Sequence, residues 1–261
     1  SSIQSLILLA SPVASGALLT LAVIEIIFFI DVVTAAVAVC TLLFFVHVPA
    51  HTKALEKQKA GYFKDLAEGL RYIRSHKFIR RFFLFCGLFF ILAAPMAFLT
   101  PLQVARSFGD DVWRLTVIEL TFSAGMMGGG LLIAAWGGFR NKVKTMILAT
   151  LIMGAGTIFL GIVPIFWLYS ALMAVLGMSM PVMNTPATVL LQQKVEEEYL
   201  GRVFGVLSMI SSSMMPLGML VFGPLSDYVR IEWMLVGTGV FMILVTILLL
   251  ARKSMLEIGD I

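Results

Sequence analysis

Charge is scarce in this chain. Asp, Glu, Lys and Arg make up 13% of its 261 residues, against about 25% in an ordinary soluble domain. A larger core cannot absorb so large a deficit, and a water-soluble globule is excluded. Cysteine is scarcer still. Cys40 and Cys86 are the only two, and both fall in apolar runs, where free Cys behaves as a small hydrophobe. That excludes a disulfide framework or a cysteine-based metal site. His47 and His51 stand four residues apart and have the spacing to share a metal, but they sit at a helix end with no acidic or Cys partner nearby. No metal is expected. No Walker loop, dinucleotide fingerprint or Ser/His/Asp pattern is present, so no ATP hydrolysis, other catalysis or cofactor is expected. The net charge of +4 is by itself no argument for nucleic-acid binding.

What the chain does contain is apolar sequence. Hydrophobic residues account for 60% of it. About 20 apolar residues at 1.5 Å per residue cross a hydrocarbon layer of about 30 Å. Eight runs reach that length: roughly 3–22, 26–46, 82–103, 114–136, 146–164, 166–190, 204–225 and 231–251. From Ile3 to Val46 the only charges are Glu25 and Asp31. That stretch is too long for one crossing, so a tight turn near Glu25 is expected.

Alternate loops then differ in charge. Lys53, Lys57, Lys59, Lys64, Arg71, Arg74, Lys77, Arg80 and Arg81 share one loop. Arg140, Lys142 and Lys144 follow two loops later, then Lys194 and Arg202, then Arg252 and Lys253 in the tail. The intervening loops hold only Arg106, Arg114 and Arg230. The positive-inside rule places the basic loops and both chain ends in the cytoplasm of a multi-pass cell-membrane protein.

Within the long basic loop, Phe63, Leu66, Leu70 and Ile73 recur at helical spacing, opposite Lys64, Arg71, Arg74 and Lys77. This predicts an amphipathic helix lying on the inner membrane surface. Gly125 and Gly129 form a G-x-x-x-G, which lets helix backbones approach closely. Pro95, Pro181, Pro186 and Pro216 fall inside apolar runs and invite kinks. Ser208, Ser211 and Ser212 precede Pro216 and are expected to satisfy backbone groups that the kink frees.

Two acidic residues lie clearly within predicted crossings, Asp31 and Glu119. A charge at mid-membrane costs about 2.5–3.5 kcal/mol on insertion scales, so such residues face a cavity or a partner. Asp31 shares its helical face with Thr34, Ala35 and Ala38, but it stands near its segment's end, where capping or anchoring explains it as well. Glu119 shares its face with Thr116, Ser123 and Met127, about 9 Å into its segment. A carboxyl at that depth suits reversible proton uptake; a packed, hydrogen-bonded carboxyl is the alternative. Gly177, Pro181, Asn184, Thr188 and Gln192 form a neutral stripe that suggests a cavity lining, or equally helix–helix hydrogen bonding.

Several motifs are familiar as a set. Ser11-Pro12-Val13-Ala14-Ser15-Gly16 resembles the G-P-x-x-G-G motif in the fifth helix of major facilitator superfamily antiporters; Pro12 and Gly16 match, and serines replace two glycines. Asp65-Leu66-Ala67-Glu68-Gly69-Leu70-Arg71-Tyr72-Ile73 resembles the central loop of the macrolide-efflux branch of that superfamily. So does Trp113 through Gly138, with Glu119 and Ser123. Gly201-Arg202-Val203-Phe204-Gly205, Pro216-Leu217-Gly218 and Gly223-Pro224-Leu225-Ser226-Asp227 are similar to the region of the tenth and eleventh helices. The basic loop after Gly137-Gly138 is a degenerate form of the superfamily's gating loop, with Phe139, Asn141 and Val143 in place of its usual pattern.

The resemblance implies an all-α polytopic bundle, helices 5–12 of an original twelve. Residues 1–47 would end the first six-helix half, 48–80 form the cytoplasmic central loop, and 81–261 form the second half. Ser1-Ser2 and the absence of a basic leader before the first apolar run agree with a chain that starts partway through a longer protein. Implied activity is alternating-access export of drug-like or amphipathic small molecules in exchange for protons, by a monomer in the lipid bilayer. Glu119 and then Asp31 are the proton-coupling candidates. Asn184, Gln103, Thr188 and Ser123 are the cavity candidates. A nutrient-uptake permease of the same fold and a non-transporting membrane scaffold are the alternatives.

Overall fold

The computed structural model describes residues 24–45, 62–250 and 253–256. These form helices without strands: α1 (Ile24–Phe45), α2 (Tyr62–Ser75), α3 (Lys77–Phe108), α4 (Val112–Trp136), α5 (Lys142–Leu160), α6 (Phe166–Lys194), α7 (Glu197–Leu225), α8 (Ile231–Val245) and the short α9 (Lys253–Leu256). A π-helical turn, Thr246–Leu250, continues α8. From α3 to the end of that turn there are 6 helices long and apolar enough to cross a membrane.

The helices overrun the apolar runs that announce them. α3 starts at Lys77 and ends at Phe108, and α7 starts at Glu197, a full seven residues before its expected first position. Hydrocarbon sets the length of the apolar stretch, but backbone hydrogen bonding continues into the interface wherever the sequence permits a helix. α5, at Lys142–Leu160, both starts and ends about four residues before its expected run. Asn141 caps its start by accepting from the Lys144 N–H at 3.2 Å. The α4–α5 joint is tight because Gly137 and Gly138 both adopt positive φ (73° and 76°), a conformation that costs Gly nothing.

Small residues set the packing. A Cβ added to Gly125 or Gly129 of α4 would stand 2.0 or 2.1 Å from the carbonyl oxygens of Ala174 and Met178 on α6, and one added to Gly177 of α6 would meet the Phe122 oxygen at 2.1 Å. These two backbones therefore touch. Between apolar helices in lipid this close van der Waals fit replaces the hydrophobic driving force. Gly154 of α5 and Gly239 of α8 face each other in the same manner, and Gly218 of α7 fits against Ile91 of α3. The core between them holds Phe82, Phe85 and Phe89 of α3, Met146 and Met153 of α5, and Tyr169 and Leu176 of α6. α1 is different: its described side chains, among them Phe28, Phe29 and Val32, are all exposed.

α2 is amphipathic, and its buried face is only partly the expected one: Ile73 is buried and Leu66 packs against the core, but Leu70 is not part of it. Gly69, Tyr72 and Ile73 are buried, while Leu70 is 47% exposed. The helix docks on the start of α7. Arg202 Nη2 lies 3.0 Å from Asp65 Oδ1 and 3.1 Å from Glu68 Oε2, and Arg202 Nε donates to Asp65 at 3.0 Å. The Tyr72 ring stacks on Tyr199 at 4.4 Å, and its hydroxyl accepts from the Glu196 N–H at 3.3 Å. Gly69 permits the approach, since its Cα faces the Arg202 backbone oxygen. Asp65 and Glu68 thus reach toward α7 beside Leu66 and Ile73, while Leu70 is left outside.

Candidate functional site

At the α2 end of the bundle, α3, α6 and α7 diverge around a cleft of about 410 Å³. Ligand pockets fall in the range of about 300–1,000 Å³. α3 contributes Phe82, Cys86 and Phe90, α6 contributes Met183, Asn184, Ala187 and Thr188, and α7 contributes Phe204, Leu207, Ser208 and Ser211. Each set follows the three- and four-residue steps that bring side chains to one helical face. Among the described residues, no charged side chain lines the cleft.

Its polar groups differ in freedom. Thr188 Oγ1 donates to the Asn184 backbone oxygen at 3.0 Å, and Ser211 Oγ donates to the Ser208 oxygen at 2.9 Å. Both hydroxyls retain only acceptor capacity. The Asn184 amide and the Ser208 hydroxyl have no hydrogen-bond partner among the described residues, and both residues are exposed. One amide with donor and acceptor free, one hydroxyl and three phenyl rings suit an uncharged or weakly polar amphipath.

Residues 1–219 match the family description of the Major Facilitator Superfamily. The chain belongs to the major facilitator superfamily. Among curated relatives, it is 26% identical over 248 residues to macrolide efflux protein A of Streptococcus pyogenes, covering 94% of this chain and 61% of that protein. It is 28% identical over 220 residues to macrolide efflux protein A of Enterococcus faecalis, covering 84% of this chain and 68% of that one. An uncharacterized MFS-type transporter of Bacillus subtilis, YvqJ, is 24% identical over 176 residues, 65% of this chain and 40% of its own. The chain thus spans about three fifths of the Streptococcus relative it matches. No solved structure matches it. The protein is a multi-pass membrane protein of this superfamily.

The remaining expected residues of this superfamily member are dispersed. Glu119, on α4, is exposed, has no hydrogen-bond or ion-pair partner among the described residues, and lies outside the cleft lining. Ser123, one turn on, is buried rather than open to the cleft. Asp31 sits on α1, but its side chain lies outside the described residues. So do Pro12, Gly16, His47 and His51.

Gln103 is no cavity-facing amide at this end. It is buried, its Nε2 donates to the Leu160 oxygen at 2.9 Å, and its Oε1 accepts from the Tyr169 hydroxyl at 2.9 Å. It ties α3 to α5 and α6 at the opposite end of the bundle, where it lines a second cleft of about 440 Å³ together with Phe108, Arg230, Glu232 and Trp233. Gly177, the first residue of the neutral stripe on α6, is consumed by the α4 contact. Ser211 does not satisfy the Ser212 carbonyl that Pro216 leaves without its helical donor; its bond goes to Ser208.

Phe82, Cys86 and Phe90 went unrecognised in sequence. They lie in an apolar run where phenylalanine also occupies 83, 85 and 89, so no periodicity separates the cleft face from the core face.

Proposed function

We propose that this chain is part of a secondary transporter that exports uncharged or weakly polar amphipathic drug-like molecules across the cell membrane in exchange for protons. The observation that carries the reading is the cleft lined by Phe82, Phe90, Phe204, Asn184 and Ser208 without a charge. The macrolide efflux relatives support the direction and the substrate class. A sugar site needs a denser set of free polar groups than one amide and one hydroxyl, which disfavours nutrient uptake.

In this reading the chain divides at 1–47, 48–80 and 81–261, with the α2 end and both termini in the cytoplasm and the protein acting as a monomer. It transports without covalent chemistry. Glu119 is the first candidate for proton coupling, since an exposed carboxyl within a crossing helix has no local partner to hold it, and Asp31 is the second. Asn184 and Thr188 serve the substrate. Gln103 and Ser123 serve the frame.

The test is drug accumulation in energised cells carrying or lacking the full-length gene. Accumulation should fall when the gene is present. Glu119→Gln should abolish that difference while leaving the amount of folded protein unchanged. Unaltered accumulation over a broad panel of amphipathic compounds would refute export, and full activity of Glu119→Gln would remove that residue from the coupling.

A further inference from the structure

We propose that the outward face of α2, continued by the first turn of α3, is a docking surface for anionic phospholipid headgroups. This rests on the membrane reading and not on which compound is exported.

The separation of charge on α2 carries the inference. Asp65 and Glu68 both close on Arg202, so the acids of this helix are gathered on the side that meets α7 and share one compensating cation there. At 100° per residue, Ala67, Leu70, Arg71 and Arg74 then share the opposite face, and all four are exposed. Lys77 and Arg80 extend the row onto α3, also exposed. None of these four cations has a hydrogen bond or ion pair among the described residues. The surface is therefore cationic, with no counter-charge paired to it among the described residues, and its complement is a dense array of anions.

Leu70 decides the kind of array. It is 47% exposed in the middle of the cations. A soluble polyanion leaves such a side chain in water. A phospholipid surface offers phosphates to the cations and an apolar layer beneath them to the leucine. The position agrees, since α3 enters its apolar stretch directly after Arg81, which puts this row at headgroup depth. Basic side chains at that depth are drawn to anionic leaflets. A second copy of the chain is disfavoured as the occupant, because two such faces repel.

The clamp gives the surface a consequence. Arg202 stands two residues before Phe204, a cleft residue, so lipid held by α2 bears on the helix that walls the cleft.

The full-length protein, purified in detergent, is offered phosphatidylglycerol and phosphatidylcholine in competition, and retained lipid is counted by native mass spectrometry. Phosphatidylglycerol should be preferred. The triple variant Arg71→Gln, Arg74→Gln, Lys77→Gln should lose the preference by about 100-fold, at roughly fivefold per cation. Leu70→Gln should weaken both lipids. A molar excess of inorganic phosphate should not displace bound phosphatidylglycerol. A parallel measurement on the unmutated protein in lipid nanodiscs should find amide exchange in 62–75 slowed by phosphatidylglycerol and not by phosphatidylcholine. It decides the matter if the triple variant fails to fold. Wild-type preference in a folded triple variant, displacement by phosphate alone, exchange blind to lipid charge, or a dimer that covers this face would each overturn the proposal.

Discussion

The two sides of α6 are built differently. On one, Gly177 meets the backbone of α4, with Gly125 and Gly129 answering across the seam. On the other, Asn184 and Thr188 look into a cleft whose far wall is α7. α7 carries its own glycines near the cleft end, yet a Cβ added to Gly201 or Gly205 would meet nothing within 4 Å. The same residue type thus locks one helix pair and leaves another open. What separates them is whether a carbonyl stands opposite, and that is a property of the partner helix. α6 is in effect fixed to α4, while α7 is held mainly by α3 and α2.

The sharpest way to break this contrast is one substitution made at two places. Gly129→Ala drives a Cβ into the Met178 carbonyl, so α4 and α6 must part. We expect a loss of about 3 kcal/mol, at the upper end for overpacking, read as a large fall in thermal stability and in monodisperse yield from detergent. Between the extremes stands Asn184→Ala. It removes a side chain that supports no other, so stability should change by less than about 0.5 kcal/mol. Binding of an amphipathic drug should weaken by about fivefold, the worth of one neutral hydrogen bond, measured by ligand-induced fluorescence quenching. The smallest effect belongs to Gly205→Ala. With open space around it and better helix propensity, it should stabilise by about 0.5 kcal/mol. A destabilisation comparable to that of Gly129→Ala would mean that α7 is as tightly seated as α4.

The architecture was legible because hydrocarbon imposes a length that composition reveals. Six of the eight expected runs correspond to α3 through α8, and the 26–46 run corresponds to α1. Helix ends were less legible. Lys77–Arg81 and Glu197–Arg202 are helical yet polar, and hydropathy is silent about them. The face of α2 was legible at Leu66 and Ile73 but not at Leu70, and the inward use of Asp65 and Glu68 was not read at all, because acids ordinarily point to water. Here Arg202, 137 residues from Asp65, pulls them inward, and no local pattern reveals so distant a partner. Gln103 is the same case, since its use as a tie depends on Tyr169, 66 residues on. Asn184 and Thr188 stood out because polar residues at a four-residue step are rare in an apolar helix. The phenylalanines of α3 did not, because their neighbours are also phenylalanines.

The wide turn at Thr246–Leu250 has its own implication. A π turn is an α-helix carrying one surplus residue. Ahead of it, Ile231–Val245 is held in register by Gly239 against Gly154; behind it, Leu250 and Met255 are again buried. Removing one residue from 246–250 should therefore relax the turn to ordinary α geometry. This short stretch is where the last crossing can tolerate a codon lost without shifting the glycine contact upstream.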